Sequence, residues 1–188
     1  MSTPISRRRS AAPSTSAPAE RAERRREKTA SSRLRSDQVW QSLDRASVAV
    51  LGHVTHTGQP RTSGVVYKSF TRRLYVAVAP DSWKARQIAA DHHVSMTVLV
   101  RRGGLLSLLF PIPPATITFH GTAVVHSPGA PEVRPALAKL KRLLPPESAQ
   151  SSCLIEITPE GEFLTYGIGV SLMSMRHPAA ARARVPVA

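Results

Sequence analysis

The feature that most constrains this chain is a succession of short β-branched runs joined by tight turns. Residues 47–56 (SVAVLGHVTH) are apolar on both faces, Thr57-Gly58-Gln59-Pro60 has turn chemistry, and residues 61–70 (RTSGVVYKSF) read as a second strand. Thr71-Arg72-Arg73 turns the chain into a third strand over residues 74–79 (LYVAVA). Parallel strands need crossovers of a dozen residues or more, and none fits into these connections. Hairpins whose strands are apolar on both faces predict a mainly β fold, an antiparallel barrel, and suit it more than a doubly wound parallel sheet.

The rest of the chain continues this pattern. Val39, Trp40 and Leu43 recur at helical spacing behind Ser36 and Asp37, either able to cap, so a short helix over residues 37–46 opens the domain. Pro80-Asp81-Ser82 starts a second helix through Asp91, with Trp83, Gln87 and Ala90 along one side. Residues 94–100 are a fourth strand and residues 115–126 a fifth, in which Gly121 marks a bulge or bend. A third helix is expected over residues 136–144, stopped by Pro145-Pro146. A final hairpin is expected from residues 152–158 and 162–170, turning at Pro159-Glu160-Gly161. The sum is six to seven strands with short peripheral helices.

Charge sets off the N-terminus. Of the formal +14, residues 1–35 contribute half, with ten Lys or Arg against three Glu, and they contain almost no large apolar side chain. Such a segment cannot offset its ordering entropy by burial and is expected to be a disordered basic arm. No apolar h-region follows Arg7-Arg8-Arg9, so a twin-arginine export signal is not expected. With 188 residues one domain is expected, spanning residues 36–170 and followed by a tail at 171–188 that contributes to a dimer or an active-site cleft. Cys153 is the single cysteine, which excludes an internal disulfide, and no apolar run approaches the roughly 18 residues of a membrane span. A cytoplasmic protein is expected.

Chemistry-bearing residues concentrate between the second strand and the second helix. Arg61 opens the strand, Lys68 lies near its end, and Ser82 and Lys84 occupy the first turn of the helix. A helix N-terminus with a hydroxyl and nearby cations suits phosphate. On a regular strand, however, Arg61 and Lys68 differ by an odd number of positions and face opposite sides, so spacing alone leaves a solvated-charge reading open. The seven histidines give no metal-ligand spacing, and no metal site is expected; His92-His93 is read as a helix end. Cys153 reads as a small core residue. Residues 105–114, apolar and proline-rich, are expected to cover a pocket or an interface. Tyr166-Gly167-Ile168-Gly169-Val170 lacks a following helix and is no dinucleotide fingerprint; its glycines read as close-approach positions.

Residues 53–98 carry a resemblance. Gly58-Gln59-Pro60, Arg61, Leu74-Tyr75-Val76, Ser82-Trp83-Lys84, Arg86 and Ile88 stand in the order and spacing of the pyridoxamine 5'-phosphate oxidase-like split-barrel flavoproteins, which this sequence resembles. The resemblance implies a six-stranded split barrel that pairs into a homodimer, with FMN, or alternatively the deazaflavin coenzyme F-420, bound between subunits. It implies that Arg61 and Lys68 meet the cofactor phosphate, that the backbone of Val65 and Val66 borders the isoalloxazine, and that Ser82 and Lys84 close the phosphate site. Arg86 and the basic surplus would suit a longer deazaflavin tail. The implied function is oxidoreduction, hydride passing between the flavin and a small-molecule substrate; a convincing copy of the substrate-gripping C-terminal motif is missing from Arg176, His177, Arg182 and Arg184. Two alternatives stand beside it: a basic nucleic-acid-binding barrel, with the arm as a nonspecific contact, and a flavin-binding protein without catalysis.

Overall fold

A computed structural model describes residues 34–102, 113–145 and 151–188. The elements are α1 (Ser36–Arg45), β1 (Val48–Val54), β2 (Pro60–Phe70), β3 (Arg73–Val78), α2 (Trp83–Ala90), β4 (His93–Val100), β5 (Ala115–His126), α3 (Arg134–Leu140), β6 (Cys153–Tyr166), α4 (Pro178–Ala181) and β7 (Arg182–Pro186). The strands form one antiparallel sheet in the order β3-β2-β1-β4-β5-β6-β7, and β3 also pairs with β6. That extra pairing closes six strands into a barrel, with β7 added outside the closure. The fold is thus mainly β with short helices around it, as the strand pattern predicts.

Alternation along the strands fills the barrel. Ala49 and Leu51 of β1 face Val98 and Met96 of β4, Val65 and Tyr67 point inward from β2, and Ile117, Phe119, Ile155, Ile157 and Phe163 complete the core. α1 plugs one end with Val39, Trp40 and Leu43. Two bonds fix it there: the Tyr67 hydroxyl donates to the Leu43 carbonyl at 2.7 Å, and Trp40 Nε1 donates to the Val187 carbonyl at 3.3 Å. Burial raises the Tyr67 pKa and keeps this hydroxyl a donor. A second apolar cluster, Tyr75, Val133, Ala136, Leu140 and Leu154, seats α3 on the outside of β2 and β3.

Several sequence expectations change. The final hairpin is absent: residues 153–166 are one continuous strand in which Pro159 and Glu160 stay paired with Gly121 and His120, and the register shifts across residues 161–163, between the partners of His120 and Thr118, with Gly161 at φ +66°. The strand ends at Tyr166, not at Val170. The residues after it are no loose tail, since β7 pairs with the second half of β6 from Glu162 to Tyr166. Leu34 is buried and Arg35 is the cap of α1, its backbone N–H donating to Gln38 Oε1 at 2.9 Å; the expected cap, Ser36, instead donates to the Val187 carbonyl at 3.0 Å. Of the arm expected over residues 1–35, residues 1–33 lie outside the described residues, and so do residues 105–112 of the proline-rich stretch. α2 ends at Ala90, and His93 already belongs to β4.

Candidate functional site

β2 is longer than its neighbour β3. It pairs with β1 along Pro60–Val66, whereas its pairing with β3 starts only at Tyr67↔Val76. β3 instead carries Ala77 and Val78 to Leu154 and Cys153 of β6. Among the described residues, no strand pairs with the other edge of residues 60–66. The Tyr67 N–H donates to the Ser47 carbonyl at 2.9 Å, toward β1, so alternation turns the main-chain groups of Val66 to the unpaired edge. Side chains split likewise: Val65 is buried in the barrel and Val66 is exposed.

At the start of β2, Arg61 stands opposite His53 of β1. α2 meets them there, because Ser82 caps it with Oγ accepting from the Ala85 N–H at 3.2 Å and Ile88 and Ala85 bury its inner side. The expected stripe of Trp83, Gln87 and Ala90 is not the buried one; Gln87 accepts from the His56 N–H at 2.8 Å and ties the helix to the turn after β1. Trp83, 39% exposed, lies over the His53 ring with centroids 5.1 Å apart. The Arg61 guanidinium carbon is 5.7 Å from the Trp83 ring centre and Lys84 Nζ is 5.8 Å from it. Two cations, a helix N-terminus and an indole therefore converge at the barrel rim.

Beneath them is a polar layer without partners. His53 is only 4% exposed, and neither ring nitrogen is hydrogen-bonded among the described residues; Ser63 Oγ, on the same inward face of β2, is also buried and unbonded. Burial first, then the charges of Arg61 and Lys84, hold the His53 pKa below its ordinary value, so the ring is neutral near pH 7. The sequence alone offers His53 only as one of seven histidines without metal-ligand spacing and gives Ser63 no role. The signal available was parity: His53 shares the inward face with Ala49 and Leu51, where a polar side chain needs a reason.

The structure brings Arg61, Ser82 and Lys84 together and leaves Lys68 apart. β2 runs without a bulge against β1, so Lys68 points to the opposite face, seven residues and roughly 23 Å along the strand from Arg61. One phosphate cannot touch both within a chain. Lys68 stands opposite Tyr75, on the face where α3 packs. Elsewhere, Asp91, His92 and His93 could converge on an ion at the exposed end of α2, but the Asp91 carboxylate already accepts from the His93 N–H at 3.0 Å and meets its ring Nδ1 at 2.9 Å. His126 lies between Glu132 and Glu156, at 3.3 and 3.1 Å, and Glu156 is also paired with Arg73. That network is saturated by its own members.

Comparison with known proteins places this architecture. The heme storage protein HutZ from Vibrio cholerae superposes with a TM-score of 0.58 at 15% identity, covering 72% of this chain and 98% of that one. A heme-binding protein from Mycobacterium smegmatis gives 0.58 at 16% identity over 78% of this chain, which spans 59% of that protein's length. A conserved hypothetical protein from Mycobacterium tuberculosis gives 0.51 at 16% identity, over 67% of this chain and 81% of that one. At these identities the likeness is one of fold. No curated protein is similar enough to count as a relative. Residues 36–166, which hold the whole barrel and the rim cluster, match the family model described as pyridoxamine 5'-phosphate oxidase, and the chain belongs to that family.

Proposed function

We propose that this protein binds a flavin phosphate at the β2 rim and is an oxidoreductase acting on a small molecule. The observation that carries the reading is the convergence of Arg61, Lys84 and the capped N-terminus of α2 on one point beside the unpaired edge of β2. The residues fit the group: cations and free helix N–H donors suit a phosphate, and the unpaired strand edge at Val66, beside Val65, suits the polar edge of a flavin ring. In this reading Arg61, Ser82 and Lys84 hold the phosphate. Lys68 is too far along β2 for the same phosphate and stays a cofactor contact only beyond it.

A bound flavin supplies hydride transfer. The chain supplies placement: Val66 main-chain groups orient the ring edge, Trp83 shields the rim, and the cations neutralise the phosphate. FMN is the cofactor of this reading and deazaflavin coenzyme F-420 its alternative.

The second part of the reading is a homodimer. Leu164, Thr118, Thr97, Val50 and Gly64 form a row across β6, β5, β4, β1 and β2 on the outer face of the barrel. With Val48, Val66 and Leu99 they leave an exposed apolar face. A second copy of this chain covers it in this reading and completes the cleft. The buried lone thiol of Cys153 fits a reducing compartment, and the cytoplasm is the compartment of this reading.

The test is the visible absorption spectrum of the purified protein, with mass identification of whatever acid releases. Release of FMN or deazaflavin supports the reading. A Soret band with released heme, or a colourless protein that binds neither flavin on titration, overturns it.

A further inference from the structure

The cation pair at the rim does not account for the layer below it. His53 is more than nine-tenths buried with two unsatisfied nitrogens, and Ser63 adds an unsatisfied hydroxyl on the adjacent strand. Buried polar groups as a rule have hydrogen-bond partners, so the presence of these together asks for a partner that arrives from outside. Trp83, half-exposed and stacked on His53, forms the cover, and the rim cations surround that cover. The elements packed on His53 bring Arg61 from β2 and Lys84 from α2; from β4 it faces Val94, which is uncharged. No carboxylate is among them.

We propose that His53 and Ser63 form the floor of the anion site and make it selective for a phosphomonoester dianion, the imidazole taking up one proton from solvent as the phosphate binds. The inference rests on the flavin-phosphate reading and narrows it. A monoester dianion has three free oxygens and two charges; a diester has two free oxygens and one charge. Rim donors from Arg61, Lys84 and the α2 N-terminus, with floor donors from His53 and Ser63, match the first. An anion beside His53 reverses the sign of the local field that now keeps the ring neutral, which is why proton uptake accompanies binding. The proton balance is simple: one proton leaves buffer and resides on the ring, and no bond to phosphorus changes. FMN carries a monoester, whereas the phosphate of the deazaflavin coenzyme joins the ring portion to a further tail and is a diester, so the floor favours FMN.

Calorimetry on the full chain at pH 7.5, in two phosphate-free buffers of different ionisation enthalpy, counts the protons taken up with FMN. Wild-type protein should take up more protons than His53→Gln, by as much as one, and His53→Gln should weaken FMN roughly tenfold while leaving riboflavin, which lacks phosphate, unchanged. Methyl phosphate should bind and dimethyl phosphate should not. Should His53→Gln fail to fold, the ring ¹⁵N signals of His53 in wild-type protein, followed during methyl phosphate titration, read the same protonation. FMN binding with equal affinity and equal proton count in wild type and His53→Gln overturns the floor while the flavin reading survives. Failure of FMN to bind, with methyl phosphate still protonating His53, removes the flavin reading and supports the floor. Dimethyl phosphate binding as well as methyl phosphate, or no response to either, overturns it.

Discussion

Arg61 and Lys84 approach the same indole, Trp83, at 5.7 and 5.8 Å from its ring centre, one from the start of a strand and the other from the first turn of a helix. Neither is engaged in any of the ion pairs seen among the described residues. Lys84→Ala should weaken FMN by about 10–100-fold, the loss of one charge-assisted contact of about 1.5–3 kcal/mol, and Arg61→Ala should do the same or somewhat less because Arg61 is more exposed. Lys68→Ala should leave methyl phosphate binding unchanged. Equilibrium titration of the three variants decides it: equal loss from Lys68 and Lys84 would return both to one phosphate site.

Gly121 of β5 leaves no room for a side chain against β6. A Cβ there would stand 2.1 Å from the Thr158 carbonyl oxygen and 2.9 Å from its carbon, both backbone atoms that cannot move aside. Gly121→Ala should therefore cost about 3 kcal/mol or more, read as a lower chemical denaturation midpoint. A change under about 1 kcal/mol would mean that the two strands part more easily than their pairing indicates.

These two sites show what was legible. Strand alternation, turn residues and the Ser82 cap are local signals, and β1 to β5 with α2 follow them within one or two residues. Gly121 reads as a bulge or bend, yet it stays paired with Pro159; the register shift lies across the ladder at residues 161–163, where the turn chemistry of Pro159-Glu160-Gly161 mimics a hairpin and long-range pairing with β5 keeps the strand going. β7 was invisible because RARVP alternates over only five residues and pairs with a strand whose length was misjudged. Arg61 and Lys84 could be proposed from chain order, and parity already turned Lys68 from Arg61, yet only the register puts His53 opposite Arg61 and excludes the bulge that would bring Lys68 back. Two-residue parity was readable throughout; which face is the interior was not, until the barrel closed.

His53 also makes stability depend on pH. Its pKa is depressed in the folded protein, while the unfolded chain has the ordinary value near 6.5. As pH falls through 6.5 the unfolded state takes up a proton that the folded state refuses, so stability declines until the lower folded pKa is reached. The melting temperature of the ligand-free protein should drop between pH 7 and pH 5, and His53→Gln should flatten that drop. An equal slope in both proteins would assign the acid sensitivity to other groups.

Cys153 starts β6 with its thiol buried, and burial pushes its pKa up. Little thiolate forms near neutral pH and little of it is reachable. A disulfide reagent such as dithionitrobenzoate should react with the folded protein roughly a hundredfold or more slower than in guanidinium. Rapid reaction without denaturant would show that the first residues of β6 open locally.

The outer face of the barrel gives the sharpest test of the proposed homodimer. Val50 lies within it, opposite Gly64 on one side and Thr97 on the other, and the row ends in Leu164, 43% exposed. Both side chains already face outward, so a charge at either position costs the lone chain little, whereas burying it unpaired between two copies costs several kcal/mol per chain. Each variant occurs twice in a symmetric interface, which doubles the penalty. Val50→Glu and Leu164→Glu should each raise the dimer dissociation constant by about ten-thousandfold or more, seen as monomer in sedimentation at concentrations where the wild type is dimeric, with circular dichroism unchanged. A dimer that survives both substitutions would have to use another face, and the cleft at the unpaired edge of β2 would then belong to one chain alone.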